Sequence, residues 1–587
     1  MGVLEVPVLI VGGGGCGLTA SICLSDLGVD HLLVEKHEGT SHLPKAHFLN
    51  QRSMEVLRQH GVAGSVYELG MPTETCKVRF VTSLAGDGPL DRQEIYVFDA
   101  FGGGTLRQTY QRVSPCVTTN LPQLRLEPVL RRHAEERAPG KIRFGHELVD
   151  FTVDDEGVSA RILDRAADRQ LDVRARYVIG ADGGKTFAPR LGVTMEGPSG
   201  LLDLVSTHFS ADLSEWWWDD STLIAMFLNP EGQGTFGSGI VVPMGPTWGR
   251  HCEEWALHFA FRPDDPERFN EEEIVPRLRE LLKLPDLQPR VHRVSHWIME
   301  RVVADRYHFG RILLAGDAVH RHVPTGGLGL NGAMQDAHNL AWKLAAVVKG
   351  HAGEELLRTY EAERRPVGIA NADWALFTFM NHAVLNAGMG IMPGAPVEAN
   401  VMALQSYFSN TPVGASLRAR AAEVFRTQRV EYSSIDVELG FSYADGALVA
   451  DGTEPPPRDP MGSEHRPTTR PGHRLPHAWI EGDGRISTHD LTGSDLRFAL
   501  IAGPAGRPWC DAAARAAEKL GLDVTAVRIG AGGDYRDATG EWAAVAGIGA
   551  EGAVLVRPDN HVAWRSTGAA ANPDQTMLQT FETVLAR

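Results

Sequence analysis

The sequence predicts an α/β fold, and three observations support this prediction. The chain opens with an apolar strand at residues 6–11, a glycine-rich turn, a helix at 18–27 and a second strand at 31–35, which is the order of a βαβ unit. Between residues 190 and 300, strand-like runs at 222–228, 239–242 and 255–261 precede a helical pattern at 271–282. Near the C-terminus, strand patterns at 498–502, 524–529 and 552–556 alternate with a helix at 512–520.

Composition and charge exclude several classes of protein. The 587 residues carry 57 Lys and Arg against 74 Asp and Glu, a net charge of −17, which disfavours a nucleic-acid binder or a polybasic membrane-surface protein. We find no signal peptide and no run of 18 uncharged apolar residues, so no membrane partner is expected. The six cysteines are scattered without a CxxC pair, which favours a reducing, cytoplasmic location and gives no metal motif.

The glycine-rich turn predicts a dinucleotide site. Gly12, Gly14 and Gly17 match GxGxxG between a strand and a helix, and Glu35 ends the next strand. In such a unit the glycines let a pyrophosphate approach the helix N-terminus, while the acid accepts from a ribose hydroxyl. The alternative is a loop that only caps a helix, with Glu35 solvated. The motif itself leaves NAD, NADP and FAD open; a second GxGxxG match at 327–332 lacks the following strand and acid.

Five later segments decide between these cofactors by resemblance. Asp182-Gly183, residues 311–320, 324–331 and 336–344, and the stretch 360–366 resemble, in order, the single-component FAD-dependent aromatic hydroxylases. Residues 45–55 and 121–128 are similar to the phenol, chlorophenol and aromatic polyketide hydroxylases of that family. The resemblance implies a Rossmann-like FAD-binding domain of the p-hydroxybenzoate hydroxylase type, an inserted β-sheet substrate domain and a C-terminal thioredoxin-like domain.

The resemblance, together with the glycines and prolines that end helices and mark linkers, predicts three regions. Residues 1–400 form the FAD-binding body, with the substrate layer inserted mainly at 75–120 and 190–300. Residues 401–475 hold a helical segment and a proline-rich linker, and 476–587 form the thioredoxin-like domain. Only Cys510 lies in that domain, so it lacks the redox dithiol, and we expect a structural role or a role in stabilising a homodimer. Within the body, helices are predicted at 333–349 and at 354–365, the latter stopped by Pro366.

The resemblance implies the residues that bind FAD. Asp317 would accept from the ribitol chain, and the loop 324–331, ahead of a helix beginning near Gly332, would present backbone amides to the flavin ring. Taken singly, Asp317 could be a turn residue and Asp182 the acid of an Asx turn. Lys45 stands where the family has Arg, and Pro189 where the DGxxSxVR pattern has Arg. The predicted FAD-binding residues are Gly12, Gly14, Gly15, Cys16, Gly17, Glu35, Lys36, Lys45, Arg52, Gln123, Asp182, Gly183, Gly316, Asp317, Pro324, Gly327, Gly329, Leu330 and Asn331.

The same family implies a monooxygenase reaction. NADPH or NADH reduces FAD, O2 adds to give a flavin C4a-hydroperoxide, and one oxygen is transferred to a phenolic ring, here a polycyclic aromatic polyketide. His47 is the candidate base because an imidazole titrates near neutral pH; the alternative is a structural histidine. Trp216, Met226, Phe236 and Pro324 are candidate substrate contacts, and core packing is the alternative for the Trp216–Trp218 run.

Two other functions stay open at this point. The same flavin chemistry could act on a ketone of a polyketide, as a Baeyer–Villiger or oxidative-rearrangement monooxygenase. From a different class, the chain could be a flavin-binding protein that has lost catalysis. Substrate-stimulated NAD(P)H oxidation separates the enzyme from the inactive protein, and the structure of the product separates the two reactions.

Overall fold

The computed structural model describes residues 3–231, 234–261 and 271–587, so part of the predicted insertion at 262–270 lies outside the described residues. The first third of the chain alternates strands and helices as the βαβ opening predicts. Its elements are β1 (Leu4–Val11), α1 (Gly15–Asp26), β2 (His31–Glu35), β3 (Phe48–Leu49), α2 (Gln51–Gln59), α3 (Ala63–Leu69), β4 (Lys77–Val81), β5 (Glu94–Asp99), α4 (Arg107–Val113), β6 (Thr119–Asn120), α5 (Gln123–Arg137), β7 (Ile142–Phe144), β8 (His146–Val153), β9 (Val158–Asp164), β10 (Arg169–Gly180) and α6 (Phe187–Leu191).

The remaining elements comprise a strand-rich stretch, a series of helices and a second α/β stretch. They are β11 (Met195–Glu196), β12 (Asp203–Ser210), β13 (Thr222–Phe227), α7 (Gly234–Ser238), β14 (Ile240–Gly245), β15 (Glu254–Phe261), α8 (Ile274–Leu282), β16 (Arg290–Ile298), β17 (Val302–Ala304), β18 (His308–Phe309), β19 (Ile312–Leu314), β20 (His320–Arg321), α9 (Leu328–Val348), α10 (Arg358–Asn381), α11 (Ala383–Met389), α12 (Val397–Phe408), α13 (Pro412–Phe425), α14 (Arg429–Tyr432), α15 (Ile435–Leu439), β21 (Trp479–Glu481), β22 (Arg485–Ser487), β23 (Arg497–Ala502), α16 (Arg507–Leu520), β24 (Asp523–Arg528), α17 (Glu541–Val545), β25 (Ala553–Val556), β26 (Val562–Ser566) and α18 (Pro573–Val584).

A sheet in the order β18-β19-β10-β1-β2-β7 forms the centre of the body. Strands β19, β10, β1, β2 and β7 are parallel, and the centre of the sheet is buried at residues 8–11, 32–34, 177–180 and 312–314, as expected for a sheet covered on both faces. Because the strands are parallel, the turns after β1, β10 and β19 leave the sheet at one edge. In open parallel sheets this edge is where ligands bind.

A second sheet, in the order β16-β12-β15-β14-β13-β4-β5, separates two apolar layers. One face carries Trp255, Leu257 and Phe259 and packs on α8. The other face carries Met226 and Val242 and, with Phe48 and Val323 of the body, forms a separate apolar cluster. Alternation along the strands therefore divides this sheet into an outer face and an inner face, and the inner face lies toward the body.

The C-terminal stretch forms a sheet in the order β24-β23-β25-β26. Strand β23 is parallel to β24 and antiparallel to β25, which is antiparallel to β26. Helices α16 and α18 pack together beside it, and Phe498 contacts Trp342 of α9 edge to face at 6.1 Å between ring centroids. The C-terminal sheet therefore shares an apolar core with the body.

Both helices predicted in this part of the body are present, but one boundary of each is wrong. Helix α9 begins at Leu328, not near Gly332, because Gly326 and Gly327 adopt positive φ and turn the chain directly into the helix. Helix α10 continues through Pro366 to Asn381. The preference of proline for a helix end is overridden here by packing, because the residues after Pro366 include Val367 and Ala372, which are buried.

Candidate active site

The glycine-rich loop forms a tight turn that leaves one side open. A Cβ on Gly12 would lie 2.2 Å from the Ala181 carbonyl oxygen, and a Cβ on Gly17 would lie 2.0 Å from the Gly12 carbonyl oxygen. These two glycines are required by packing. At Gly14, in contrast, the only neighbour is a Glu127 oxygen at 3.4 Å. The Gly13 amide donates to Glu35 Oε2 at 2.8 Å, which fixes the predicted ribose acceptor beside the loop.

Glu127 contacts this loop from α5 and was not predicted as a site residue from the sequence. Its side chain is buried on α5 and accepts hydrogen bonds from the amides of Gly15 and Ser41, at 3.2 and 2.8 Å, and from Gln123 Nε2 at 2.5 Å. Burial raises the pKa of Glu127, and Lys45 acts against that rise. Gln123 and Lys45 therefore lie with Gly15 at the N-terminus of α1. The signal was present in the 121–128 segment, where a glutamate precedes Pro128.

The turn after β19 meets the same loop. Gly316 has a positive φ, and its Cβ position lies 3.4 Å from Cys16 Sγ. Burial raises the pKa of Cys16 well above its usual value, so the thiol stays protonated and packs as an apolar group. Asp317 is exposed, and its carboxylate makes no hydrogen bond to a described residue. The Asp317 carboxylate is thus available to a ligand. If Asp317 were only a turn residue, its carboxylate would not need to be available.

The loop 324–331 leads into α9, and the first turn of α9 packs against the glycine-rich loop. Leu330 Cδ1 lies 2.7 Å from the Cβ position of Gly15, and Gly327 packs on Phe48. Gly329 has no atom within 4 Å of its Cβ position, and Pro324 is exposed. The surface of the protein is therefore open at Pro324 and Gly329.

Asn331 does not present its side chain to a ligand. Its Nδ2 donates to the carbonyl oxygens of Phe48 and Gly327, at 3.0 and 2.6 Å, and its Oδ1 accepts from the Asn50 amide at 3.0 Å. Both the Nδ2 and the Oδ1 atoms of Asn331 are therefore engaged within the protein, where they fix the start of α9 to β3 and Asn50. A contact of Asn331 with FAD would therefore be made by its backbone, as predicted for the loop 324–331, and its place among the FAD-binding residues stays a prediction.

The side chains of Arg52 and Asp182 hydrogen-bond to groups of the protein, and their roles in FAD binding stay predictions. The Arg52 guanidinium is buried and donates to Glu55 and, at 2.7 Å, to the carbonyl oxygen of Asp559 between β25 and β26. The Asp182 carboxylate accepts from the amides of Gly184, Thr186 and Phe187, which forms the Asx turn of the alternative interpretation and leaves its predicted role toward FAD untested.

Two other predicted residues remain open to a ligand. Gly183 has a positive φ and no atom within 4 Å of its Cβ position. Lys36 directly follows Glu35, and its carbonyl oxygen accepts from Arg165 at 3.3 Å.

His47 lies beside a polar partner, Asn120. Strands β3 and β6 pair, and the His47 carbonyl oxygen accepts from the Leu121 amide, which sets His47 beside Asn120. His47 Nδ1 lies 2.5 Å from Asn120 Oδ1, so Nδ1 carries a proton and the neutral ring presents an unprotonated Nε2. Burial lowers the pKa of His47. Asn120 was missed because 73 residues separate the two partners.

The structure divides the predicted substrate contacts. Met226 and Phe236 belong to the inner-face cluster with Phe48 and Val323, next to the loop 324–331. Trp216 packs on the outer-face cluster, behind the sheet. Trp216 lies in a turn and not on a strand. The next residue, Trp217, packs on Trp255 of the outer layer. The prediction that Trp216 contacts substrate is therefore wrong, and core packing explains the tryptophan run.

A cluster of two histidines and a glutamate lies at one end of the inner face. Atoms of His208, Glu254 and His292 that could coordinate a metal lie within 4.8 Å of one another. However, Arg125 donates to the same Glu254 oxygen at 2.8 Å, and His208 Nε2 lies 3.0 Å from it. Because Arg125 of α5 already pairs with Glu254, we interpret this cluster as an ion-paired contact between the sheet and α5, not as a metal site.

The arrangement fits FAD. A pyrophosphate needs donors at a helix N-terminus, which the start of α1 supplies beside the open Gly14. A ribitol needs an acceptor, which the free Asp317 carboxylate supplies. A flat ring needs close approach to backbone, which the open surface at Gly329 allows. The three features lie around one edge of the central sheet.

Comparison with known proteins agrees with this geometry. Residues 5–375 match the family model of the FAD binding domain, and residues 468–587 match that of the aromatic-ring hydroxylase C-terminal domain. The phenol 2-monooxygenase of Pseudomonas sp. strain EST1001 is 34% identical over 98% of this chain and 92% of its own. The tetracenomycin A2 monooxygenase-dioxygenase of Streptomyces glaucescens is 35% identical over 99% and 97%.

A solved structure shows the same fold throughout. The flavin-dependent monooxygenase PieE, in complex with FAD and substrate, superposes with a TM-score of 0.91 at 39% identity and covers 99% of each chain. Within the described residues, no helix is both long and apolar enough to cross a bilayer. The chain belongs to the FAD-dependent aromatic-ring hydroxylases and is an FAD-dependent monooxygenase.

Proposed function

We propose that this enzyme uses NADPH or NADH and O2 to hydroxylate a phenolic polycyclic substrate, and that His47 accepts the phenol proton. The observation that carries the proposal is the His47–Asn120 pair at 2.5 Å. Asn120 Oδ1 accepts only, so it fixes the proton on Nδ1, leaves Nε2 as a base and stabilises the imidazolium after proton transfer. A deprotonated phenol is the more electron-rich ring, which favours attack on an electrophilic oxygen.

FAD, once reduced, supplies the activated oxygen for this reaction. The chain's own residues bind and orient the cofactor. The α1 N-terminus with Lys45 and Gln123 would hold the pyrophosphate, Glu35 the ribose, Asp317 the ribitol and the start of α9 the ring edge. The apolar wall formed by Met226, Phe236 and their neighbours excludes water from the reacting ring.

The size and character of the inner face support a polycyclic substrate. Its cluster unites residues of β4, β13, β14, α7 and the body into one apolar wall. Relatives named for phenol and for tetracenomycin share 34% and 35% identity with the chain over nearly its whole length. A flat aromatic substrate between this wall and the start of α9 would place its hydroxyl within reach of His47.

The C-terminal region supports a thioredoxin-like scaffold without redox chemistry. Its β23-α16-β24 unit is parallel and is followed by an antiparallel β25-β26 pair and a final helix. Cys510 on α16 is buried, and burial raises the pKa of its thiol to about 11. Without a second thiol in this region a disulfide cycle is not available, so we assign the domain a structural role.

His47→Asn tests the proposed base. An asparagine keeps a polar side chain but cannot accept and carry a proton, so we expect turnover of a phenol to fall by about 100-fold with FAD still bound. Stopped-flow product formation and flavin absorbance measure the two quantities, with His42→Asn in the same segment as the control. Wild-type product formation by His47→Asn would overturn the assignment of the base.

A further inference from the structure

His258 is a second imidazole that the proposed reaction does not yet use. It lies on β15, where β12 pairs Ser206 directly with it. Trp255, Leu257 and Phe259 of the same strand belong to the outer-face cluster, so His258 and Ser206 lie on the inner face. His258 Nδ1 is 2.8 Å from Ser206 Oγ, and Trp297 Nε1 donates to the same Oγ at 3.4 Å.

These contacts favour the tautomer of His258 that carries its proton on Nε2. The Trp297 indole can only donate, so Ser206 Oγ accepts from it. The one proton of the Ser206 hydroxyl is then directed at His258 Nδ1, its acceptor among the described residues. Nδ1 therefore accepts, and the neutral ring carries its proton on Nε2. This Nε2–H makes no hydrogen bond to a described residue.

His47 and His258 are electrostatic neighbours. Burial, with a smaller contribution from charge on His47, lowers the pKa of His258 to about 3. His258 is thus uncharged at any working pH, so it supplies a donor but no positive charge, and a buried carboxylate or phosphate beside it would lack a compensating charge whereas a neutral carbonyl oxygen needs none. The two rings present complementary groups, an acceptor at His47 Nε2 and a donor at His258 Nε2.

We propose that His258 selects substrates that carry a ring carbonyl as well as a phenolic hydroxyl, by donating Nε2–H to the carbonyl oxygen. This inference rests on the proposed function, because it places the hydroxyl at His47. It narrows the substrate class from phenols to hydroxyquinones and related hydroxyketones. A phenol without the carbonyl would leave the buried N–H without an acceptor, which opposes its binding.

A matched pair of probes tests the proposal by binding alone. We would measure the dissociation constants of 2-hydroxyanthraquinone and 2-hydroxyanthracene with the FAD-loaded, oxidised enzyme, without NAD(P)H, by quenching of protein fluorescence. Wild type should prefer the quinone, and His258→Leu should reduce that preference about tenfold. His258→Gln, which retains an N–H donor, should keep part of it, and His292→Gln on the exposed end of the same sheet should keep all of it.

A second variant separates the effect of the Nε2–H donor of His258 from the effect of the shape of its imidazole ring. Ser206→Ala leaves the imidazole in place but removes the hydroxyl that holds the proton on Nε2, so the preference should fall partway. Equal preference in wild type, His258→Leu and Ser206→Ala would overturn the inference. Because no turnover is required, a failure of the proposed hydroxylation would appear separately, as binding with the expected preference but no product.

Discussion

At the scale of single residues, the glycines of the site differ in what requires them. Gly12 and Gly17 contact backbone so closely that any Cβ would displace it. Gly329 faces open space and Gly14 has only a Glu127 oxygen in ordinary contact distance, so packing within the protein does not require either to be small. The sequence predicted the motif from its spacing, but it could not separate these two roles, because the neighbours come from distant segments such as Ala181 and Glu127.

Gly329→Ala should therefore separate cofactor binding from folding. Alanine favours a helix over glycine by about 1 kcal/mol, and the new methyl group would contact no protein atom, so the apoprotein should melt at the same or a higher temperature. FAD affinity should fall at least about tenfold, because the methyl group would occupy the ring's approach to α9. Fluorescence titration with FAD measures this.

Gly64→Ala provides the control for this comparison. Gly64 lies in α3, its Cβ position is equally open, and it lies outside the cofactor loops. Unchanged FAD affinity in both variants would contradict the placement of the ring at α9.

Glu438 is a second residue whose behaviour the sequence could not show. It is buried on α15, its Oε2 has no hydrogen-bond partner among the described residues, and burial raises its pKa to about 8, with the Gln51 amide opposing. Between about pH 4.5 and pH 8 the folded state therefore holds a proton that the unfolded state has lost. Folding stability must fall as pH rises through this window, by about 1.4 kcal/mol for each unit of pKa difference.

Glu438→Gln should remove this loss. The variant should gain stability relative to wild type as pH rises from 5 to 9, because its amide cannot ionise. Melting temperatures at the two pH values measure the effect, with exposed Glu398→Gln on α12 as the control. A wild-type pH dependence in Glu438→Gln would show that Glu438 is not the titrating group.

At the scale of elements, the strand pattern was predictable and the helix starts were not. The predicted opening strand and helix correspond to β1 and α1, and the predicted strands at 222–228 and 255–261 correspond to β13 and β15. Two-residue and 3.6-residue periodicities are local properties, which explains this agreement. The start of α9 depends on positive φ at Gly326 and Gly327 and on the Asn331 clamp to Phe48, and none of these is visible as a periodicity.

The same limit applies to the candidate site. The cofactor loops lie at the edge where the motifs predicted them, because each follows a parallel strand. The partners Asn120, Glu127 and His258 were not predicted, since each acts through a contact across more than 50 residues. His258 had a weak signal, a polar residue on a strand that is otherwise almost wholly apolar.

At the scale of the whole molecule, a buried ionic network joins the C-terminal region to the body. Arg557 donates to both oxygens of Glu363 on α10, at 2.7 and 2.9 Å, and pairs with Asp559. Lys343 of α9 lies 2.7 Å from the same Glu363. These groups are almost fully buried, and the paired cations lower the pKa of Glu363 to about 2. The network fixes the helix whose start forms the flavin loop.

Arg557→Met should therefore affect the site from a distance. Removing one partner leaves charge buried without compensation, which costs about 3–5 kcal/mol, and FAD release should accompany unfolding of the C-terminal region. Urea unfolding followed by flavin and tryptophan fluorescence measures both. The exposed Arg507→Met provides the control, since its pair with Asp511 contributes about 0.5 kcal/mol or less. Loss of the C-terminal signal before the flavin signal would contradict the coupling.

The most direct test of the proposed hydroxylation is isotope incorporation. FAD-loaded enzyme, 2-hydroxyanthraquinone, NADPH and 18O2 would be combined, and the product examined by mass spectrometry and NMR. We expect one 18O atom per product, carried by a new hydroxyl on an intact ring, with NADPH consumption stimulated by the substrate. An 18O inserted into an opened or expanded ring, or a product oxygen that comes from water, would contradict it.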